Sequence, residues 1–294
     1  MTPRLGIIGE PVAHSLSPQI FAHLFRAAKL AARYDVWPTP ARELSARLET
    51  MRRDAAIVGA NVTIPHKEAV LPLMDSLHPS AREVGAVNCI RVRRMGRGRA
   101  RLEGHNTDVA GLDACLSRIS APTARGRGAT MVILGAGGAA RAAAAAGLRR
   151  KTWQIRICAR NLPQARALAR AHARLTAVAW AERMSALATC DILVNASAGG
   201  MEGMAALEID AAALPLGAAV MDLVYRPLAT PLLRAASARG LVTMDGLYML
   251  VFQALDNYRI WFPADAHADM TARFFPPLYR LCRQTLTAAA APPC

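Results

Sequence analysis

The feature that most constrains this chain is a glycine-rich junction near its middle. A β-branched and aliphatic run at 129–134 (ATMVIL) leads straight into Gly135-Ala-Gly-Gly-Ala-Ala140, which opens an alanine-rich helical pattern reaching residue 148. Strand, tight glycine turn and helix in that order make the phosphate-binding corner of a doubly wound α/β sheet. Gly135 permits the turn, Gly137 lets backbone approach a pyrophosphate, and Ala140 lets the helix pack close to the strand. The helix N-terminus presents N–H groups to an anion. A closely packed Ala/Gly helix could carry the same string, but the flanking strand and helix favour a dinucleotide.

The next strand, 154–158, selects between dinucleotides. An NAD site places Asp or Glu at that strand's end to take the ribose hydroxyls. Here the strand runs out through Ile157-Cys-Ala-Arg160-Asn161, a cation and no acid. Arg160 can pair with an adenosine 2′-phosphate, so NADP is favoured over NAD. The other reading of Arg160 is an ordinary surface arginine in an arginine-rich chain.

Around this junction, short apolar runs alternate with helical patterns. Strands are expected at 4–9, 34–37 and 56–62, with helices at 18–29 and 41–52 and another after Pro65. A hairpin is expected over 86–104, and Asn106-Thr107-Asp108 should cap a helix to about residue 118. Beyond a Gly/Pro/Ser/Arg-rich stretch at 120–128, further strands are expected at 175–179, 191–195, 218–223 and 241–243. Helices are expected at 162–173, 230–238, 246–262 and 268–286, with a frayed tail at 287–294. This order predicts two α/β domains with mostly parallel sheets and a cleft between them. Residues 1–108 would form a substrate domain, 109–245 a Rossmann domain, and the helices of 246–294 would return to the first.

Composition excludes several classes. Hydrophobic residues are 53% and charged residues 19%, too apolar for a disordered chain. No run approaches the ~18 apolar residues of a membrane span, and the first residues lack a basic-then-apolar leader, which points to the cytoplasm. Six scattered cysteines without a CxxC pair support neither a zinc site nor a disulfide framework, and no metal is expected. Lys and Arg number 36 against 21 acids, a net +15, yet only Lys29, Lys67 and Lys151 are lysines. Such a bias across the whole chain reads as compositional. The densest run, 91–101, reads as a solvated hairpin tip without the aromatic residues that stack bases, so no nucleic-acid partner is expected.

Four polar clusters sit at predicted strand ends, where ligands bind in α/β sheets. They are Ser15-Leu-Ser17-Pro18, Asn61-Val-Thr63-Ile-Pro-His66-Lys67, Gly85-Ala-Val-Asn88 and Gly104-His105-Asn-Thr107-Asp108. With Asn195-Ala-Ser-Ala-Gly-Gly-Met201, Asp222-Leu-Val-Tyr225-Arg-Pro-Leu-Ala-Thr-Pro231 and Asp245-Gly246-Leu-Tyr-Met249-Leu-Val-Phe-Gln253, the chain resembles the shikimate dehydrogenase family, including its quinate-type relatives. The resemblance spans nearly the whole chain.

The resemblance implies reversible hydride transfer between NADP and a polyol acid, 3-dehydroshikimate and shikimate, with Lys67 and Asp108 as the acid/base pair. It implies substrate contacts from Ser15, Ser17, Thr63, Asn88, Asp108, Tyr225 and Gln253. It further implies cofactor contacts from Gly135, Ala136, Gly137, Gly138, Ala139, Arg160, Asn161, Leu223, Gly246 and Met249, in a monomer or homodimer. Taken alone, Ser17 reads as a helix N-cap before Pro18, and Asp108 as a capping carboxylate. Lys67 is harder to explain away, because a composition biased toward arginine would have supplied arginine. His66 and His105 read as solvent or supporting groups.

The chain departs from the family pattern at Cys89, Val109, Tyr248, Asn161 and Leu162. A quinate or shikimate-analogue dehydrogenase using NAD or NADP is therefore one alternative, and a ligand-binding sensor without turnover is another. Ser17 leans toward shikimate over quinate.

Overall fold

The computed structural model describes residues 1–94, 96, 99–119, 128–265 and 269–289. The expected linker lies outside these except for Gly128, as does the tail beyond residue 289. Contacts divide the chain into one unit of Met1–Ala110 with Val251–Cys282 and another of Gly111–Leu250 with Arg283–Cys294.

The first unit begins with β1 (Arg4–Gly9), buried along nearly its whole length, as a central parallel strand requires. It pairs in parallel with β2 (Arg33–Pro38) on one side and β3 (Ile57–Val62) on the other, by way of α1 (Ser17–Ala27) and α2 (Leu44–Arg53). The chain then passes through α3 (His66–Ala69), β4 (Ser76–Leu77) and α4 (Pro79–Val84) into the hairpin of β5 (Cys89–Arg93) and β6 (Arg101–His105). Strand β5 runs antiparallel to β3, so the six-stranded sheet, ordered β2-β1-β3-β5-β6-β4, is mixed. Next comes α5 (Asp108–Arg118). The sequence reading missed β4 and α4. Two residues lacking a β-branched side chain give no strand signal, and the helix is set by Pro79 and by the His78 ring accepting from the Ser80 N–H.

Arg93, Arg94, Arg99 and Arg101 of the hairpin are exposed, as expected of a solvated tip, and Arg94 and Arg99 also bind neighbouring groups. Arg94 donates to the carbonyls of Met51, Arg52 and Asp54, capping α2, while Arg99 lies on the Glu49 carboxylate. Residues 95, 97 and 98 of that tip lie outside the described residues.

The second unit alternates β7 (Thr130–Leu134), α6 (Gly138–Leu148), β8 (Gln154–Ala159), α7 (Leu162–Ala169), β9 (Leu175–Ala179), α8 (Arg183–Leu187), β10 (Ile192–Asn195), β11 (Ala219–Asp222), α9 (Pro231–Ala238) and β12 (Val242–Met244). All its strand pairings are parallel, in the order β12-β11-β10-β7-β8-β9. Counted from β7 this is 6-5-4-1-2-3, the doubly wound order whose switch point lies between its first and fourth strands. Helix α7 stops short of residue 173, because the His172 Nδ1 accepts from the Arg174 N–H and turns the chain into β9. Two helices close the chain, α10 (Gly246–Trp261) and α11 (Met270–Ala289).

At Gly59 the first sheet meets α10 at van der Waals limits. A Cβ there would lie 2.2 Å from Trp261 Nε1 and 2.6 Å from the Ile90 carbonyl, which itself accepts from the indole at 2.9 Å. Gly59→Ala is therefore expected to displace the indole, break that bond and cost about 3 kcal/mol in chemical denaturation. An unchanged midpoint would contradict this packing.

Candidate active site

The first unit gathers the polar residues of three strand exits into one hydrogen-bonded cluster. Lys67 sits on α3, one turn beyond β3, and its backbone carbonyl accepts from the Val87 N–H at 2.7 Å, tying α3 to the turn that carries Asn88. Asp108 is the first residue of α5. The Lys67 Nζ lies 2.6 Å from Asp108 Oδ2, and the side chains are 20% and 3% exposed, so the carboxylate is shielded from water while the lysine side chain is partly open to it. Asn88 Nδ2 donates to Asp108 Oδ1 at 2.7 Å. Asp108 is not the cap of its helix. That place is taken by Asn106, whose Oδ1 accepts from the Val109 N–H.

A second arm runs through side chains that the sequence reading did not single out. Asn88 Nδ2 also donates to Thr107 Oγ1, whose hydroxyl reaches Asn257 Oδ1 at 2.7 Å, and Asn257 Nδ2 donates to Gln253 Oε1 at 2.8 Å. Asn257 is fully buried, one helical turn after Gln253. That i,i+4 spacing was the available signal.

The serines stand nearby in the same network. Ser17 begins α1 without capping it, since its side chain makes no cap bond and its N–H donates to Ser15 Oγ at 3.2 Å. Its hydroxyl bonds the Tyr34 phenol, which donates to Asn61 Oδ1 at 2.6 Å, and Asn61 donates to the Asn88 carbonyl. Burial pushes the Tyr34 phenol well above the usual tyrosine range, keeping it a neutral donor. Nothing in the local sequence marked Tyr34. Thr63 leaves β3, donating from its backbone to Ile8 and accepting from the His66 N–H.

Both flanking histidines prove to be buried. His66 is 1% exposed with Nε2 on the Thr39 carbonyl, and His105 stacks on His78 beside Glu103, its pKa lowered by burial. Cys89 is likewise buried, and burial raises its thiol well above the ordinary range.

In the second unit the glycine loop lies at the switch point. Gly135 has φ +112, a conformation that L side chains rarely adopt, and a Cβ there would stand 3.1 Å from the Ala196 carbonyl at the end of β10. Gly137 caps α6, and a Cβ built on it meets nothing within 4 Å, so the start of the helix is uncrowded there, as close approach of a pyrophosphate needs. Ala136 is buried under the loop; Gly138 and Ala139 open the helix, and Ala140 is fully buried beneath it. Arg160 is exposed at the end of β8 and, among the described residues, has no ion-pair partner. Asn161 caps α7 through the Gln164 N–H. These features fit a 2′-phosphorylated dinucleotide: an anion cradle, no acid at the second strand's end, and an uncommitted guanidinium there.

Leu223 follows β11, and a Cβ on Gly246 would meet the Leu223 carbonyl at 2.4 Å, so the start of α10 packs on that exit. Tyr225, Tyr248 and Met249 are part-buried in the same unit. Sequence reasoning missed the buried Asp222 carboxylate, which accepts from Thr230, Asn195 and the Val224 N–H and stiffens the β10 and β11 exits. Burial raises its pKa despite those bonds. Among the described residues no group of His, Cys, Asp or Glu could hold a metal, and no helix is long and apolar enough to cross a membrane.

Known proteins are similar to this chain in sequence and in fold. Residues 7–90 match the family described as the shikimate dehydrogenase substrate binding domain. The shikimate dehydrogenase (NADP(+)) of Gluconobacter oxydans is 44% identical over 273 residues, 92% of this chain and 94% of that protein. The crystal structure of the Thermus thermophilus shikimate 5-dehydrogenase in complex with NADP(H) and shikimate superposes with a TM-score of 0.80 at 34% identity, over 96% of this chain and 99% of that one. A quinate dehydrogenase from Corynebacterium glutamicum in complex with NAD gives a TM-score of 0.82 at 28% identity, over 94% and 99%.

Proposed function

The chain belongs to the shikimate dehydrogenase family, and on that premise we propose that it interconverts 3-dehydroshikimate and shikimate with NADP, using Lys67 and Asp108 at the reacting oxygen. The observation that carries the assignment of residues is the 2.6 Å Lys67–Asp108 contact, held by Asn88 at the ends of three strands. A capping carboxylate or a surface lysine would have no need of that arrangement.

When bound, the nicotinamide supplies or accepts the hydride. The remaining work falls to the chain's own side chains. In the direction of ketone reduction, the Lys67 ammonium gives a proton to the carbonyl oxygen. In the direction of alcohol oxidation, the neutral amine takes the hydroxyl proton. Asp108 holds Nζ in position and accepts from a ring hydroxyl. Ser15 and Ser17 bind the carboxylate of the polyol acid, Thr63, Asn88 and Gln253 its hydroxyls, and Tyr225 stands near the carboxylate or ring.

In the second unit Gly135 to Ala139 receive the pyrophosphate and Arg160 the 2′-phosphate, with Asn161, Leu223, Gly246 and Met249 completing the cofactor site. The first unit is thus the substrate domain and the second the cofactor domain. The same reading places the protein in the cytoplasm as a monomer or homodimer.

Initial rates of shikimate and quinate oxidation, each with NADP and NAD, test the assignment. The pair shikimate and NADP is expected to have the highest kcat/KM. Quinate with NAD leading would replace this reading with that of the quinate-type relatives. Shikimate binding without turnover by any pair would make the protein a sensor.

A further inference from the structure

We propose that His66 is a positioning residue for the proton carrier, its ring fastening the short helix α3 so that Lys67 meets Asp108. This role rests on the function proposed above and adds what sets the place of the lysine on which that function depends.

A lysine head sits on a flexible four-carbon stem, so the 2.6 Å contact of Nζ with Asp108 is only as exact as the backbone beneath it. Helix α3 has four residues, His66–Ala69, too few for a helix to hold itself together. The chain there must be fastened from outside. Before α3, the Thr63 N–H donates to the Ile8 carbonyl at 2.9 Å and the Ile64 carbonyl accepts from the Glu10 N–H at 3.1 Å, which lays the segment against the end of β1. After α3, Val70 is fully buried in the core under the sheet.

These contacts hold the two ends, and the turn between them is set by a side chain. Of the four residues of α3, only His66 is buried, with 1% exposure. Its Nε2 lies 2.6 Å from the Thr39 carbonyl. A carbonyl can only accept, so Nε2 carries the hydrogen. The acceptor is itself fixed. Thr39 is 0% exposed, its N–H donates to the Gly9 carbonyl at 3.0 Å, and its hydroxyl donates to the Trp37 carbonyl at 2.9 Å. Successive residues of a helix point about 100° apart. Locking His66 toward Thr39 therefore turns Lys67 to the side from which Nζ reaches Asp108.

His66→Leu keeps an apolar side chain in the buried place and has no donor. His66→Gln returns an N–H close to the place of Nε2. The test measures kcat and KM for shikimate and NADP in the wild type, both variants, Lys67→Met and the double variant His66→Leu/Lys67→Met, with thermal midpoints for each. Nitrogen NMR of the wild-type ring, assigned by its loss in His66→Gln, reads which nitrogen is protonated. The expected result is a kcat lowered about tenfold by His66→Leu with both KM values within twofold of wild type. His66→Gln should recover most of that loss, and His66→Leu should add nothing to Lys67→Met. The ring should carry hydrogen on Nε2.

An unchanged kcat, a rise confined to KM, or the same loss of kcat in both backgrounds would overturn the proposal by showing that His66 does not act through Lys67. A ring with hydrogen on Nδ1 alone would overturn it too, since Nε2 could not then donate. If His66→Leu does not fold, His66→Asn, one bond too short to reach Thr39, takes its place; if that also fails to fold, His66 serves the fold alone and the proposal is wrong. A wild type that does not turn over shikimate would refute the proposed function instead, and that first measurement tells the two failures apart.

Discussion

Replacing Lys67 with Met is expected to lower kcat for shikimate oxidation about a hundred- to ten-thousand-fold, the range that a positioned acid/base contributes. In barrier terms that is roughly 3–5 kcal/mol. The stability cost should be smaller, at about 1–3 kcal/mol, because the Asp108 carboxylate keeps its bond from Asn88. Lys67→Arg separates the two roles. The guanidinium restores the ion pair, but its proton is held too tightly for exchange near neutral pH, so stability should recover while turnover stays low. If the arginine variant turns over at the wild-type rate, charge alone suffices and Lys67 is not the proton carrier. If the methionine variant keeps its activity, the pair has no part in the chemistry.

The second large effect concerns the cofactor. Arg160→Ala is expected to raise KM for NADP about 10- to 100-fold, the worth of one charge-assisted bond to a phosphate, and to leave KM for NAD unchanged. The side chain is exposed, so the effect should shrink as salt rises from low to physiological ionic strength. Equal changes for both cofactors would point to loop geometry, and no change for either would make Arg160 an ordinary surface arginine. The absence of an acid at the end of β8 predicts a further asymmetry. Removing Arg160 alone should not create a good NAD site, because no acid stands there to take the ribose hydroxyls.

The second unit was legible because local physics and fold agree along its length. A buried strand, a glycine with φ +112 and an alanine helix follow one another without interruption, and each restricts the chain to one conformation. The first unit was less legible. Strand β4 has two residues and owes its place to β6, a long-range partner that local periodicity does not register.

In the site, Lys67, Asp108 and Asn88 could be named because they sit in motif strings, and the structure brings these three into contact. Tyr34 and Asn257 could not, since their roles depend on which strand lies beside β1 and which face of α10 meets Thr107. Asn161 shows the opposite case. A residue expected at the cofactor is accounted for locally as the cap of α7, and cofactor contact would be an additional role. The basic hairpin is solvated as its sequence suggests, but one contact was not legible. Exposed Arg94 also caps α2, a role that depends on where that helix lies rather than on the string around it.

The central claim is direct hydride transfer from shikimate, and isotopic labelling tests it most directly. Shikimate carrying deuterium at the carbon oxidised to the ketone would be turned over with NADP, and the reduced cofactor and the product examined by mass spectrometry and NMR. The account predicts one deuterium in each reduced cofactor formed, none at the oxidised carbon of 3-dehydroshikimate, and a single stereochemical outcome. Reduced cofactor without deuterium, or shikimate bound and returned unchanged, would contradict it.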